Sequence, residues 1–344
     1  MSHEFETGFT SIKPSWHKLE NLLDHYPTTE EAFLASGLDW TVRKEVLYYN
    51  HNGELKTSPH FGVVRESDGN YLGVCKDRYT LFQNKEAFEW CRPLVESGLY
   101  KWESAGSLKQ GQTCWGLLTV GEREIIKGDK LKNYLLITWS HDGSKSVMVR
   151  PTSIRVVCNN TLTAAKNESG KRDKVRHTQT MQIKLDDVRR FYEEGEEFFA
   201  QQESDFQRLL NTEIDTAMLD AYMYGVKGIL QMEDGKHSRW NNTEKKLREM
   251  IASGASQQKE LGIENTLYGA FNATSEFLEH YAPTRGDNEG YSVLFGNRGK
   301  QIEQCYDLAL EMADGSTKFV PSYLKSGYRQ EVEGKAEFAR LMSM

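Results

Sequence analysis

Three things are scarce in this 344-residue chain, and each absence removes a class of function. No run of about 18 apolar residues occurs, so no segment reads as a membrane span. The N-terminal stretch MSHEFETGF has neither a basic n-region nor an apolar h-region, so export is not expected and the reading is a cytoplasmic protein. The five cysteines, Cys75, Cys91, Cys114, Cys158 and Cys305, are odd in number and widely spaced. No C-x-x-C pair occurs, and no histidine sits at zinc-ligand spacing from any of them, which points to reduced thiols packed in a core. Signatures of common chemistry are also missing: there is no G-x-x-x-x-G-K-[ST], no G-x-G-x-x-G, no G-x-S-x-G and no H-E-x-x-H. The sequence therefore names no catalytic residue, no metal ligand and no cofactor, and it favours a binding protein over an enzyme. The adjacent Asp186 and Asp187 diverge on a helix, and His141 and His177 have no evident nucleophile beside them in sequence. A metal-dependent enzyme acting on nucleic acid stays a third reading.

What is present is a contrast of charge. Arg150–Lys184 holds eight Lys/Arg against Glu168 and Asp173, a local balance of +6 in a chain whose total is −7. The remainder therefore carries −13. A basic strip on an acidic protein is the electrostatic footprint of polyanion binding, and overall acidity favours a narrow groove for one strand over a coat on duplex DNA. Residues 185–220 follow with eleven acids and three bases. Opposite charge side by side can pair within a chain or between copies in a ring or filament. Both arrangements stay open, as does a solvated surface.

The composition, 38% hydrophobic and 11% aromatic, is that of a globular chain, and the length suits two domains. The patterning predicts an α+β fold: an N-terminal antiparallel β-sheet domain with packed helices over 1–184, then a mainly helical region over 185–344. Val42–Tyr49 runs into Asn52-Gly53, a type I′ hairpin signal. Asp68-Gly69 between Phe61–Arg65 and Tyr71–Cys75, and Asp142-Gly143 between Tyr134–Ser140 and Ser146–Arg150, read as two more such turns. Cys114–Val120 is a further strand. Thr28 or Thr29 caps a short helix stopped at Gly37, and Asn84–Ser97 carries Phe88, Cys91, Leu94 and Val95 at helical spacing. Later helices are expected over Val188–Leu210, Ile214–Leu230, from a capping box at Asn241-Asn242-Thr243-Glu244 through Ile251, Asn265–Tyr281 and Gln301–Ala313.

Ile154–Cys158 reads as a β-branched strand that stops at Asn159-Asn160-Thr161, and these capping residues are expected to open a helix over Leu162–Lys166. That junction would present free backbone N–H groups beside Arg150 and Arg155, an anion site. Residues 167–178 read as a basic loop. The candidate nucleic-acid-binding set is Arg150, Arg155, Asn159, Asn160, Thr161, Lys166, Lys171, Arg172, Lys174 and Arg176. Bases stack on aromatics, and Tyr48, Tyr49, Tyr71, Tyr79, Phe82, Trp102, Trp115, Tyr134 and Trp139 fall in or near the strands. Most must be core. Tyr48 and Tyr49 point to opposite faces. A second anion site, around Phe295-Gly296-Asn297-Arg298-Gly299-Lys300, is weaker.

Tyr79-Thr80-Leu81-Phe82-Gln83-Asn84-Lys85-Glu86-Ala87-Phe88, Arg155-Val156-Val157-Cys158-Asn159-Asn160-Thr161-Leu162 and Thr266-Leu267-Tyr268-Gly269-Ala270-Phe271-Asn272-Ala273 together resemble a phage/plasmid-like family carrying a domain of unknown function. The resemblance runs in order over roughly residues 5–315. It implies an origin on bacteriophage genomes or conjugative plasmids, and it brings no catalytic residues. The reading it leaves is a protein binding nucleic acid, single-stranded DNA in the first instance, in replication, recombination or strand annealing. The alternative is an anti-defence protein that binds and inhibits a host protein through the acidic stretch Glu193–Asp205.

Overall fold

The computed structural model describes residues 5–12, 21–143, 147–155, 160–162, 174–175, 185–232, 237–253, 261–282 and 297–315. Their order is β1 (Phe5–Ser11), β2 (Asn21–Leu23), α1 (Thr29–Ala35), β3 (Val42–His51), β4 (Glu54–Arg65), β5 (Tyr71–Lys76), α2 (Asn84–Glu96), β6 (Lys101–Leu108), β7 (Thr113–Ile126), β8 (Asp129–Ser140), β9 (Val147–Arg155), β10 (Asn160–Leu162) and β11 (Lys174–Val175). The helices α3 (Leu185–Leu210), α4 (Thr216–Ile229), α5 (His237–Ser253), α6 (Leu267–Glu276) and α7 (Asn297–Ala313) follow, with one π-helical turn, Phe277–Tyr281, on the end of α6. The fold is α+β, with an antiparallel-rich sheet in the N-terminal part and most helices in the C-terminal part.

Local chemistry explains most element boundaries. Asn52 (φ 53°) and Gly53 (φ 88°) both lie in the left-handed region, the geometry a two-residue type I′ hairpin needs. The other two Asp-Gly pairs do not form such turns. Only Gly69 and Gly143 have positive φ, and the β4–β5 link closes instead through Gly69 N–H to Arg65 O (2.9 Å) and Asn70 N–H to the Asp68 carboxylate (3.0 Å). Thr28 caps α1 in a capping box with Glu31, and Thr266 caps α6 by accepting from Gly269 N–H at 3.0 Å. The box expected at Asn241–Glu244 lies inside α5, which begins at His237; Thr243 is buried there. Ser146–Arg150 and Ile154–Cys158, read as two strands, join in β9, which runs to Arg155 with Pro151 inside it. That proline sits where β9 has no described neighbour opposite β8: β11 pairs with 147–148 and β10 with 153–155. No ladder N–H is needed there.

The large sheet runs β10-β9-β8-β7-β6-β1-β2, with β11 also on β9, and only β1–β2 is parallel. Its centre is apolar on both faces, which is why β7 and β8 read as continuous runs. Cys114, Leu118, Leu135, Ile137 and Trp139 face a core shared with α1, α2 and the small sheet. Trp115, Leu117, Tyr134 and Leu136 form a second buried cluster on the opposite face. The strands β1 and β6 approach closely because Gly8 pairs with Gly106. A Cβ at Gly106 would lie within 2.3 Å of the Thr7 carbonyl oxygen. Gly106→Val therefore forces β1 off the sheet edge and is expected to cost about 1–3 kcal/mol by overpacking, read as a lower thermal midpoint. An unchanged midpoint would show that β1 is not held there.

The hairpin β7–β8 reaches out of the sheet into the helical part. Its tip residues Ile125 and Leu131 belong to the helical core, Gln207 Nε2 donates to Ile125 O (2.6 Å), and Tyr268 Oη donates to the buried Asp129 carboxylate (2.9 Å). Arg123 on the same hairpin pairs with Glu196 and Glu203 of α3. The central helix is α6, all ten of whose residues are buried, packed by α3, α5 and α7.

Candidate functional site

Five of the ten candidate residues, Asn159, Lys166, Lys171, Arg172 and Arg176, lie outside the described residues. The backbone of the other five is placed by one strand. Arg150 and Arg155 belong to β9, Asn160 and Thr161 to β10, and Lys174 to β11. Asn160–Leu162, where the helix was expected to start, is a strand that folds back on β9, with Asn160 opposite Arg155 and Leu162 opposite Ser153; the rest of that expected helix lies outside the described residues. Asn-Asn signals a turn as strongly as a cap, and here strand pairing with β9 takes the backbone groups that a helix N-terminus would have left free. The helix-terminal anion site is therefore withdrawn. At the other end of β9, Lys174 is opposite Met148. Seven residues of strand, about 24 Å at ~3.4 Å per residue, separate that end from Arg155. The five described positions are thus spread along β9 and its two short partners and do not meet at a point. Between the two ends Arg150 is cross-strand partner of Leu136 and half-buried, its Nη2 lying 3.6 Å from Met148 Sδ.

The β11 end of β9 adjoins the small sheet. The order there is β3-β4-β5, and β5 abuts the turn between β8 and β9: a Cβ at Gly73 would lie 2.5 Å from the Asp142 Cα. Only glycine permits that approach. The far half of the β3–β4 hairpin stands clear of the body, with exposed residues on both faces from Tyr48 to Thr57. Of the nine aromatics raised as stacking candidates, Tyr48 (58%), Tyr49 (50%) and Tyr71 (50%) are exposed, whereas Phe82, Trp102, Trp115, Tyr134 and Trp139 are buried.

Behind the junction of the two sheets lies a buried polar network. Asn84, the first residue of α2, donates through Nδ2 to Leu38 O (3.1 Å) and Trp40 O (3.3 Å). Its Oδ1 meets Trp139 Nε1 (2.9 Å) and His141 Nε2 (2.8 Å). The neighbouring Gln83 clamps Val42 through both its N–H and its C=O (3.0 and 2.9 Å). Arg65 lies over the Trp40 ring at 4.7 Å and pairs with Glu6 at 2.7 Å. This network explains the first motif, Tyr79–Phe88, as architecture. His141, a triad candidate by residue type alone, serves the same architecture: it is buried, and burial drives its pKa down to about 4.

Other candidates also turn inward. Arg298 is buried and donates to Ala282 O at the end of the π-helical turn, so it offers no phosphate a free guanidinium. The acidic face of α3 is partly committed: Glu196 and Glu203 hold Arg123, and buried Asp205 accepts from Arg208 (3.2 Å) and Tyr306 (2.9 Å). Glu193, Glu194 and Glu197 stay exposed. Cys75, Cys91, Cys114 and Cys305 are buried free thiols, each with its pKa raised by burial. Among the described residues, no group of three or more His, Cys, Asp or Glu is placed to hold a metal ion, and no helix is long and apolar enough to cross a membrane.

Neither the curated proteins nor the solved structures contain a match to this chain. A family model does match, over residues 71–294, from the first residue of β5 to just short of α7. The match takes in Asn84, Trp139 and His141, the β7–β8 hairpin, all of β9–β11 and the central helix α6, more than half of the chain. The protein accordingly belongs to the family defined by a domain of unknown function, DUF932.

Proposed function

We propose that this protein binds single-stranded nucleic acid, DNA in the first instance, in the replication, recombination or strand annealing of a phage or plasmid. The reading is supported above all by charge. A segment of +6 sits in a chain of −7, and two short strands within it, β10 and β11, pair with the two ends of β9. A linear polyanion following β9 would meet cations in series, each displacing condensed counterions from phosphate. The acidity elsewhere opposes wrapping by a duplex and confines the strand to this path.

The test is the salt dependence of oligonucleotide affinity. Changing Lys171, Arg172, Lys174 and Arg176 together to alanine is expected to reduce the slope of log K against log salt by about 3, taking ~0.7 per phosphate contact on a single strand. Unchanged affinity and slope would remove the basic segment from any such role. An anti-defence protein that binds a host protein through exposed Glu193, Glu194 and Glu197 is the competing reading. A host partner retained from lysate, together with no strand binding, would select it.

A further inference from the structure

We infer that the outer face of the small sheet, β3-β4-β5, is a platform on which the bases of a single strand stack. This rests on the nucleic-acid reading above and adds to it a site, and a reason for preferring unpaired bases.

The face is defined by register. Val42, Lys44 and Val46 pair with Arg65, Val63 and Phe61, and the buried members of this set turn towards the body of the protein. Arg43, Glu45, Leu47 and Tyr49 alternate with them and point the other way. Across the sheet the outward set continues with Lys56 opposite Tyr49, Tyr71 opposite Val64, Val74 opposite Gly62 and Lys76 opposite His60.

The middle of this face is made by a glycine. Gly62 has no side chain, so the Tyr71 ring and the Leu47 methyl group settle over it; a Cβ there would be 3.1 Å from each. Tyr49 lies two residues beyond Leu47 on the same strand, about 7 Å along the face. Tyr49, Tyr71 and Val74 are all exposed. The result is a shallow apolar floor carrying two tyrosines, and its margin is cationic: Arg43, Lys56 and Lys76, with His60. The two carboxylates on the same face, Glu45 and Glu54, already have partners in Arg43 (2.5 Å) and Lys56 (4.0 Å).

Three features fit this surface to a single strand. Flat apolar rings accept the faces of bases irrespective of sequence, because every base has one. Lys76 can meet a phosphate directly, and Arg43 and Lys56 can do so by exchanging their solvent-exposed partners Glu45 and Glu54 for it. A duplex hides its base faces in its own stack, so this floor offers it nothing. The position adds a fourth: through the contact of Gly73 with Asp142 the sheet sits at the end of β9 where Lys174 begins the ladder with Met148. Gly73 meets Asp142 on the face opposite the tyrosines, so a strand leaving the basic path would round the β5 edge to reach them.

The experiment measures binding of a labelled oligothymidylate, and of an abasic strand of equal length, to the full-length protein. The variants are Tyr49→Ala/Tyr71→Ala and Tyr49→Phe/Tyr71→Phe. The alanine pair is expected to weaken oligothymidylate binding at least about thirtyfold, from two stacked bases at ~1–3 kcal/mol each, with the salt slope unchanged. The phenylalanine pair is expected to bind as the wild type does, and the abasic strand not to distinguish the variants. Photocrosslinking of wild-type protein to a 5-iodouracil strand, mapped to Tyr49 or Tyr71, gives the same answer without any substitution. Wild-type binding that both variants retain, or an equal loss on the abasic strand, overturns the platform and leaves the basic path standing. A wild-type protein that binds no strand overturns both.

Discussion

Replacing Asn84 by alanine is expected to lower the free energy of unfolding by about 3–5 kcal/mol, more than any surface change in the protein. The size follows from what one side chain does. Asn84 is buried, and its amide has two donors and one oxygen with two lone pairs. Both donors are used, by Leu38 O and Trp40 O, and both lone pairs are addressed, by Trp139 Nε1 and His141 Nε2. Alanine removes all four interactions at once. The indole N–H of Trp139, itself buried, loses its acceptor, and an unmet buried polar group costs about 1–3 kcal/mol. The gain in helix propensity, Asn to Ala at the start of α2, returns only a few tenths of a kcal/mol. Gln83→Ala is the internal comparison. It removes two hydrogen bonds to Val42 at a half-buried position, so its cost should be about 1–2 kcal/mol. Urea unfolding at fixed pH measures both. If Asn84→Ala costs no more than Gln83→Ala, the network is not what joins the two sheets.

How far the fold could be read from sequence depends on how local its causes are. The β3–β4 turn was legible because Asn52-Gly53 satisfies its own backbone demand, α1 because Thr28 sits beside what it caps, and α2 because Phe88, Cys91 and Leu94 recur at helical spacing and share one buried face. The α+β class followed from hairpin-like strands with a packed helix ahead of a long stretch of helical patterning, all of them local signals. The misreading at Asn160 has a non-local cause. A three-residue strand exists only because β9 has an edge for it, and nothing in the letters N-N-T-L announces that edge. The same holds for β1, whose partner β6 lies about a hundred residues away and is recorded only as the small residues Gly8 and Gly106.

The candidate interface divides in the same way. Net charge marked the basic segment without any structure, because charge needs no partner to be counted. Which tyrosines face solvent was not legible, since Tyr48, Tyr71, Trp102 and Tyr134 look alike in sequence. Division into two sheets separates them: the small sheet has one face against the body, whereas the large sheet is covered on both at its centre. The acidic face of α3 also looked uniform, and only the reach of Arg123 from the β7–β8 hairpin distinguishes Glu196 and Glu203 from their exposed neighbours.

Acidification from pH 7 towards 4 is expected to destabilise the protein through one residue by about 3 kcal/mol, a loss that begins near pH 6.5, well above the range in which carboxylates are protonated. His141 is 1% exposed. Its Nε2 lies 2.8 Å from Asn84 Oδ1, an atom that only accepts, so the proton of the neutral ring is assigned to Nε2. Burial is the main cause that holds its pKa at about 4; nearby Arg65 pushes in the same direction, and Asp142 opposes them. In the unfolded chain the ring titrates near its ordinary value of about 6.5. Between those two values the unfolded state binds a proton that the folded state refuses, so stability falls as pH falls through 6.5 towards 4 and levels off below. The difference, about 2.5 units at 1.36 kcal/mol each, sets the order of magnitude. His25 acts in the opposite sense, its pKa raised by Asp24, but it is fully exposed and small in effect. Urea unfolding of the wild type and of His141→Gln at pH 7, 6, 5 and 4.5 isolates the contribution. Glutamine has an amide donor for Asn84 and no proton to take up, so its stability should change little over this range while that of the wild type declines. Parallel pH profiles would mean that the buried ring is protonated as readily in the folded protein as in the unfolded chain, and that water reaches the junction of the two sheets.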